Sequence, residues 1–389
     1  MNIGIIDADV IGKKKHRFPN LACMKISSYY KSQGHNVKLL LSYDDIENYD
    51  KVFISKVFTD TPIPEGVLNL SWVEYGGTGF FYDKAEPLPY EVEHSMPDYH
   101  LYDDWVNEKL YDGIDKNDYE NDEEIEEIEA IIKKRRKEFT YYLDYSIGFT
   151  TRGCIRGCSF CVNKNYRQCL KHSPVSEFLD ESRPYICLLD DNVLSCKDWK
   201  EIFEELNATG KRFQFKQGMD ERLLTDEKCE VIFNSNWIGD YIFAFDNIKD
   251  RRLVEKKLQL IRQHTDKIPK FYCFCGYNHE SPDTYSVEFW AKDIEDLLER
   301  VQILMSYHAL PYVMRYADYV KSPYKTLYNS IAAWCNQPSF FKKTSFREYC
   351  VKSYKLNRKS LLRSLEQFEA DCPDVAERYF DLKWDDYEI

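Results

Sequence analysis

A chain of 389 residues and 46.4 kDa can bury at least one large core and has room for two or three domains. Its formal charge of −13 and pI near 5.3 argue against indiscriminate attraction to nucleic acid or anionic membrane, because the summed field repels polyanions. Thirteen cysteines, an odd number spread through apolar segments, do not suit a framework of paired bridges; with no export signal and no apolar run of membrane-spanning length, the expectation is a soluble cytoplasmic protein with reduced thiols and no membrane partner.

The chain opens on an apolar strand, Ile3 to Ile6, and enters a helix near Pro19-Asn20 with Met24, Ile26 and Tyr29 as buried candidates. Strand-like runs follow Gly34 at 37–41 and 52–57, so residues 1–105 read as a small Rossmann-like parallel-sheet domain. Residues 106–144 read as a charged helical linker: an acidic run from Asp112 to Glu129 turns basic at Lys133, Lys134, Arg135, Arg136 and Lys137, the polarity a helix dipole favours. From Tyr145 the rhythm is regular, with strands at 147–150, 185–189, 213–216, 241–245, 270–274 and 311–315 alternating with helical stretches, which predicts a partial (β/α)6 barrel over 145–322 in an α/β fold. The remainder, 323–389, reads as a helical, partly basic segment.

Thr151-Arg-Gly-Cys154-Ile-Arg-Gly-Cys158-Ser-Phe-Cys161 places three thiols in one short loop directly after a strand, with Gly153 and Gly157 free to curl the backbone around a bulky centre. Three thiolates can hold three irons of a cubane and leave the fourth iron open to a ligand. Zinc is the competing occupant; it would want a fourth ligand such as Cys169 or His172 and more often uses two separated Cys-x2-Cys pairs.

The spacing Cys-x3-Cys-x2-Cys, with Phe160 before the last cysteine, resembles the signature of the radical S-adenosylmethionine superfamily. The resemblance implies a [4Fe-4S] cluster on Cys154, Cys158 and Cys161, S-adenosylmethionine chelated at the open iron, an electron donor such as flavodoxin or ferredoxin, and reductive cleavage to methionine and a 5′-deoxyadenosyl radical that modifies a substrate. The substrate (metabolite, nucleoside or macromolecule residue) is left open, as fold and cluster do not determine reaction type.

In a barrel of this kind the reacting centre lies at the carboxyl ends of the strands. The sequence has polar clusters there: Asp190-Asp191-Asn192, Gln217 through Asp220 to Arg222, Asp246-Asn247, Tyr277-Asn278 and Arg315-Tyr316. By the resemblance, Phe160, Asp190, Asp191, Asn192, Gln217, Asp220, Arg222 and Asp246 are candidate cofactor contacts; for each, a capping role at a strand-to-helix turn is the competing reading. Cys273 and Cys275 fall on one face of a strand and read as core.

Asp7-Ala-Asp9-Val-Ile-Gly12, Ser55-Lys-Val57 and Gly76-Gly77 resemble, in order, the cobalamin-binding pattern that precedes the barrel in one subgroup of the superfamily. Asp9 stands where that pattern has its axial histidine and Val57 where it has leucine, so the resemblance allows cobalamin in this domain without favouring it, and no lower axial ligand is expected from this loop. A second class of function, a cluster-containing nucleic-acid-binding or redox-sensing protein without turnover, would use the basic, aromatic stretch from Phe340 to Arg363 as its contact surface.

Overall fold

The structure, a computed structural model, describes residues 1–114, 122–163 and 166–387, leaving aside the side chains of 122–124. It is an α/β protein that divides into two compact units, Met1–Asp190 with Glu204–Gln214, and Asp191–Phe203 with Phe215–Ile389.

The first unit begins with β1 (Asn2–Asp7), whose apolar side chains are fully buried, flanked in parallel by β2 (Asn36–Leu39) and β3 (Lys51–Ser55). An edge strand, β4 (Val73–Gly76), extends the sheet to the order β2-β1-β3-β4; sequence reading missed it because only Val73 of its four residues is buried. The helix Leu21–Ser32 starts where expected, with the Asn20 side chain accepting the Cys23 amide. It buries Cys23, Met24 and Ile26 in a cluster with Tyr102, Trp105, Phe139 and Tyr142. Within 106–144 the helix Asp122–Arg136 carries Lys133, Lys134, Arg135 and Arg136 in its last turn; the expected acidic residues Asp115, Asp118 and Glu120 lie outside the described residues.

Beyond the linker, β5 (Tyr145–Gly148) is followed by a two-residue strand β6 (Thr151–Arg152), which pairs antiparallel with β7 (Leu170–Lys171) to make a small ribbon. Strand β8 (Tyr185–Leu188) lies parallel to β5, and with β9 (Arg212–Phe215) they form a sheet in the order β5-β8-β9.

In the second unit β10 (Ile242–Ala244), β11 (Lys270–Cys275) and β12 (Leu310–Arg315) form a parallel sheet in chain order. The residues that continue β9 run beside it: the Met219 amide donates to the Ile242 carbonyl at 2.8 Å, and the Tyr272 hydroxyl donates to the Lys216 carbonyl at 3.3 Å. Helix Val287–Ser306 packs Ile294, Leu297, Leu298, Val301 and Leu304 inward and carries a buried arginine, Arg300, whose guanidinium donates to the carbonyls of Phe245 and Phe274 at 2.7 and 3.0 Å. One cation thereby collects the carbonyls that follow β10 and end β11.

The C-terminal residues form the expected helices, among them Lys325–Cys335, Phe346–Lys355 and Lys359–Asp371, packed around Trp334, Phe341, Phe346, Phe368 and Phe380. Ser345 and Glu348 form a capping box. Among the described residues no helix is long and apolar enough to cross a membrane.

Candidate active site

The cysteine loop is built by the strand that precedes it and the ribbon that closes it. The His172 amide donates to the Thr150 carbonyl at 2.8 Å and β6 pairs with β7, so both ends of the loop are held by backbone before any ligand is considered. Gly153 has φ +95° and Gly157 has φ +60°, and a Cβ at Gly153 would collide with the Gln168 carbonyl; only glycine passes there. Inside the loop the Cys154 amide donates to the Tyr166 carbonyl and the Cys161 amide to the Cys158 carbonyl, both at 3.0 Å.

Cys154, Cys158 and Cys161 are all half-buried. The Arg156 amide points at the Cys154 sulfur at 3.5 Å and the Asn163 amide at the Cys161 sulfur at 3.4 Å. Amides directed at sulfur stabilise thiolate charge and are one of the means by which a protein sets the potential of an iron–sulfur centre. Among the described residues no three His, Cys, Asp or Glu side chains converge on one ion-sized point, the convergence that a tetrahedral ion with bonds of about 2.3 Å demands. A cubane asks for something else, since each thiolate takes a different iron. Of the two other residues considered for zinc, Cys169 is buried, and the His172 imidazole lies 3.7 Å from the Glu93 carboxylate and stacks on His94.

Beneath the ribbon is a charged group that sequence reading did not single out. Glu93 takes a largely buried ion pair from Lys25 at 2.9 Å and a second from Arg152 of the ribbon at 3.3 Å. Burial works against the Glu93 charge, but Lys25 and Arg152 outweigh it and hold the carboxyl below its usual range. Burial, followed by the charge of Arg152, pushes His172 down to about 4.

Asp190 is fully buried and accepts four hydrogen bonds, from the amides of Thr150 and Thr151 at 3.1 and 2.6 Å and from their hydroxyls at 2.6 and 2.7 Å. Burial raises its pKa to about 6 against the pull of those donors. Its carboxylate thus holds the turn that leads into the cysteine loop. Its sequence neighbour Asp191 is half-buried.

In the second unit three of the expected residues meet. The Asn192 amide donates to Asp220 at 3.4 Å, and Asp220 receives the Arg222 guanidinium at 2.7 Å while capping its own short turn through the Arg222 amide. Arg222 also reaches Asp250 at 3.0 Å. Burial opposes the charge of Arg222, yet the hydrogen bond and charge of Asp220 outweigh it, so the guanidinium stays firmly protonated. Beside them Glu221, buried and near Asp220, has its pKa raised to about 8. Asp246 accepts the Phe274 amide at 3.0 Å and is raised by burial, with Arg300 and Arg222 acting in the opposite sense. Gln217 is exposed. Cys273 and Cys275 are buried on one face of β11, and burial pushes the Cys273 thiol up to about 12, as befits core.

The carboxyl end of the first sheet is closed by its own residues. Asp9, 1% exposed, accepts the Val57 amide at 2.6 Å and the Thr61 hydroxyl, while Asp7 accepts the Tyr102 hydroxyl at 2.8 Å and is raised to about 7 by burial. Gly77, at φ +102°, lies so close to the Lys56 carbonyl that a Cβ would collide with it. With both Asp9 oxygens taken up within the chain, these residues do not fit cobalamin held by a lower axial ligand from this loop.

No family model matches the chain, and no curated protein matches it. Among solved structures it is similar to TsrM. That radical S-adenosylmethionine methyltransferase from Kitasatospora setae, in a structure with cobalamin and a [4Fe-4S] cluster bound, aligns at 12% identity and a TM-score of 0.49 over 81% of this chain and 74% of its own. A second TsrM structure, with tryptophan substrate and aza-SAM bound, gives 12% identity and a TM-score of 0.49 over 80% and 72%. SuiB from Streptococcus suis aligns at 12% identity and a TM-score of 0.29 over 59% of this chain and 53% of its own.

Proposed function

We propose that the chain is a radical S-adenosylmethionine enzyme, with Cys154, Cys158 and Cys161 holding a [4Fe-4S] cluster. One observation carries the reading: three thiols of the Cys-x3-Cys-x2-Cys spacing sit half-buried in a glycine-curled loop whose ends are already closed by the β6–β7 ribbon and whose amides point at two of the sulfurs. On this reading β5, β8, β9, β10, β11 and β12 are successive strands of a partial (β/α)6 barrel; the pairing of the residues after β9 with β10 supports the connection.

When bound, the cluster supplies an electron to S-adenosylmethionine and yields methionine and a 5′-deoxyadenosyl radical. The protein's own part is to bind, orient and shield. Asp190 orders the turn into the loop through Thr150 and Thr151. Asn192, Asp220 and Arg222 form a polar group suited to ribose hydroxyls or a carboxylate, and Gln217 and Asp246 are further candidates for such contacts. Phe160 and Asp191 are further candidates for cofactor contacts. Buried thiols such as Cys196, Cys229, Cys335 and Cys350 suit the reducing cytoplasm, where flavodoxin or ferredoxin would supply the electron.

Anaerobic loading with iron and sulfide, followed by S-adenosylmethionine and a reductant, tests the proposal. A four-iron absorption and paramagnetic signature with release of 5′-deoxyadenosine, both lost in Cys158→Ala, is the expected result. Binding of zinc alone, or no cleavage under any reductant, overturns it.

A second reading is favoured by the C-terminal surface. Arg347 is committed to Glu369 and Asp381, and Lys383 to Glu348, but Lys352, Lys355, Arg358, Lys359 and Arg363 are exposed beside exposed Tyr354 and Leu356. Such a face suits a polyanion, and a hybrid in which it presents RNA or DNA to the enzyme joins both readings.

A further inference from the structure

The residue between the last two cysteines is held from outside its own loop. The Tyr82 hydroxyl donates to the Phe160 carbonyl at 2.9 Å. The other end of the same peptide unit, the Cys161 amide, donates to the Cys158 carbonyl at 3.0 Å. Because a peptide is planar and its barrier to twisting is high, fixing its oxygen and its nitrogen fixes the direction in which the next Cα, that of Cys161, leaves it.

Tyr82 is built to make this contact. It has φ +47° and ψ −110°, a backbone state that a bulky side chain adopts only when its surroundings impose it. The imposition comes from the N-terminal sheet. The helical turn Thr78–Phe81 that precedes Tyr82 leaves β4 at Gly77, and the Gly79 amide donates to the Lys56 carbonyl at 3.0 Å. The Thr78 hydroxyl reaches the Val57 carbonyl at 3.3 Å, and Phe81 stacks on Tyr75 with centroids 5.7 Å apart. Val57 and Thr61 are in turn the two donors that occupy Asp9. A continuous set of contacts thus runs from the end of β1 to the third cysteine, all within the first unit.

The geometry points to Tyr82 as a positioning residue for Cys161, through which the N-terminal domain sets how that thiolate meets its iron. This rests on the cluster reading above. The domain then has a task that needs no ligand of its own.

The test compares full-length wild type, Tyr82→Phe, which removes only the hydroxyl, and Tyr75→Phe, which removes an exposed hydroxyl from the same segment. Amide hydrogen exchange of the loop is read before iron loading; the paramagnetic spectrum, the midpoint potential and the rate of iron loss to a chelator are read after it. In Tyr82→Phe the Cys161 amide should exchange about fivefold faster, iron loss should accelerate by roughly the same factor, and the g-values and potential should move, as a net hydrogen bond of about 1 kcal/mol implies. Tyr75→Phe should match wild type in all four. Unchanged exchange at Cys161 in Tyr82→Phe overturns the clamp whatever metal the protein holds. Faster exchange with an unaltered spectrum and potential overturns the positioning role. A wild type that takes up no four-iron cluster, with exchange still faster in Tyr82→Phe, overturns the cluster reading and the role of Cys161 with it, and is recognisable because it is the wild type that fails.

Discussion

The chain leaves parallel strands at their carboxyl ends after β1 and again after β5, and the two departures are finished in opposite ways. After β1, Asp7 and Asp9 have their oxygens filled by Tyr102, Val57 and Thr61, all from the chain itself. After β5, the buried carboxylate is Asp190, which arrives from a different strand end and saturates the Thr150–Thr151 turn, leaving the next residues to carry three half-buried thiols. A strand end whose polar groups are all answered internally is a scaffold. One whose turn is held rigid by a neighbour, with three half-buried thiols directly after it, is a candidate site. The candidate centre is recognised less by polar residues at a strand end than by a turn held rigid directly before three half-buried thiols.

Cys158→Ala tests the difference between the two strand ends most directly. Replacing this half-buried thiol should abolish cluster retention and 5′-deoxyadenosine formation while leaving the melting temperature of the metal-free protein within a few degrees; a larger fall in that temperature would make Cys158 structural. Next comes Asp190→Ala, which strips the acceptor from four buried donors and should cost on the order of 3 kcal/mol in denaturant titrations, with iron binding weakened as well. Retained stability would mean the Thr150–Thr151 turn needs no such support.

A similar cost, on the order of 2 kcal/mol, is expected for Asp9→His, which would install the imidazole of the cobalamin-like pattern while orphaning the Val57 amide and the Thr61 hydroxyl. Absorption titration with cobalamin should show no gain in affinity; a gain would show that the scaffold end is a site after all. Asp7 offers a pH-dependent version. Its pKa is raised from 3.8 to about 7 by burial, so its stabilising contribution is complete below pH 3.8 and is lost as pH rises through 7. Relative to wild type, Asp7→Asn should therefore gain stability across that window, by up to a few kcal/mol, and stay level above it. A difference that is flat with pH would place the carboxylate's titration outside the fold.

The smallest effect is expected at the basic C-terminal surface. Changing Lys352, Lys355, Arg358 and Lys359 together to Glu should leave 5′-deoxyadenosine release within twofold of wild type, as for exposed charges, while abolishing any salt-dependent affinity for RNA or DNA in filter binding. Unchanged affinity for every nucleic acid removes the second reading.

Much of this was legible in the residues. The six later strands lie within three residues of their expected ends because each carries a short apolar run, buried throughout in Ile186-Cys187-Leu188 and at every second residue in Lys270–Cys275. The cysteine loop was legible because its ligands are adjacent in sequence. Its supports were not: Asp190 meets Thr150 and Thr151 across about forty residues, and Glu93 meets Arg152 and Lys25 across more than fifty. Contacts of that kind leave no periodicity. Tyr82 left still less, since its role follows from a left-handed backbone at one aromatic residue, a state that sequence patterns assign to glycine. Asp190 is a candidate cofactor contact by resemblance, with a turn role as the competing reading; that the turn it holds is Thr150–Thr151, about forty residues earlier, is not legible from its place at a strand end.

The ribbon of Thr151–Arg152 with Leu170–Lys171 has a consequence for how such a centre lives with oxygen. Because peptide hydrogen bonds, and not the metal, join the two ends of the loop, the entropy of closing it is met when the chain folds. On the cluster reading, a protein stripped of iron by oxidation would keep its three thiols in a loop still closed at its base. It could then be refilled in place, as a socket is refitted, with no need to be unfolded or made anew.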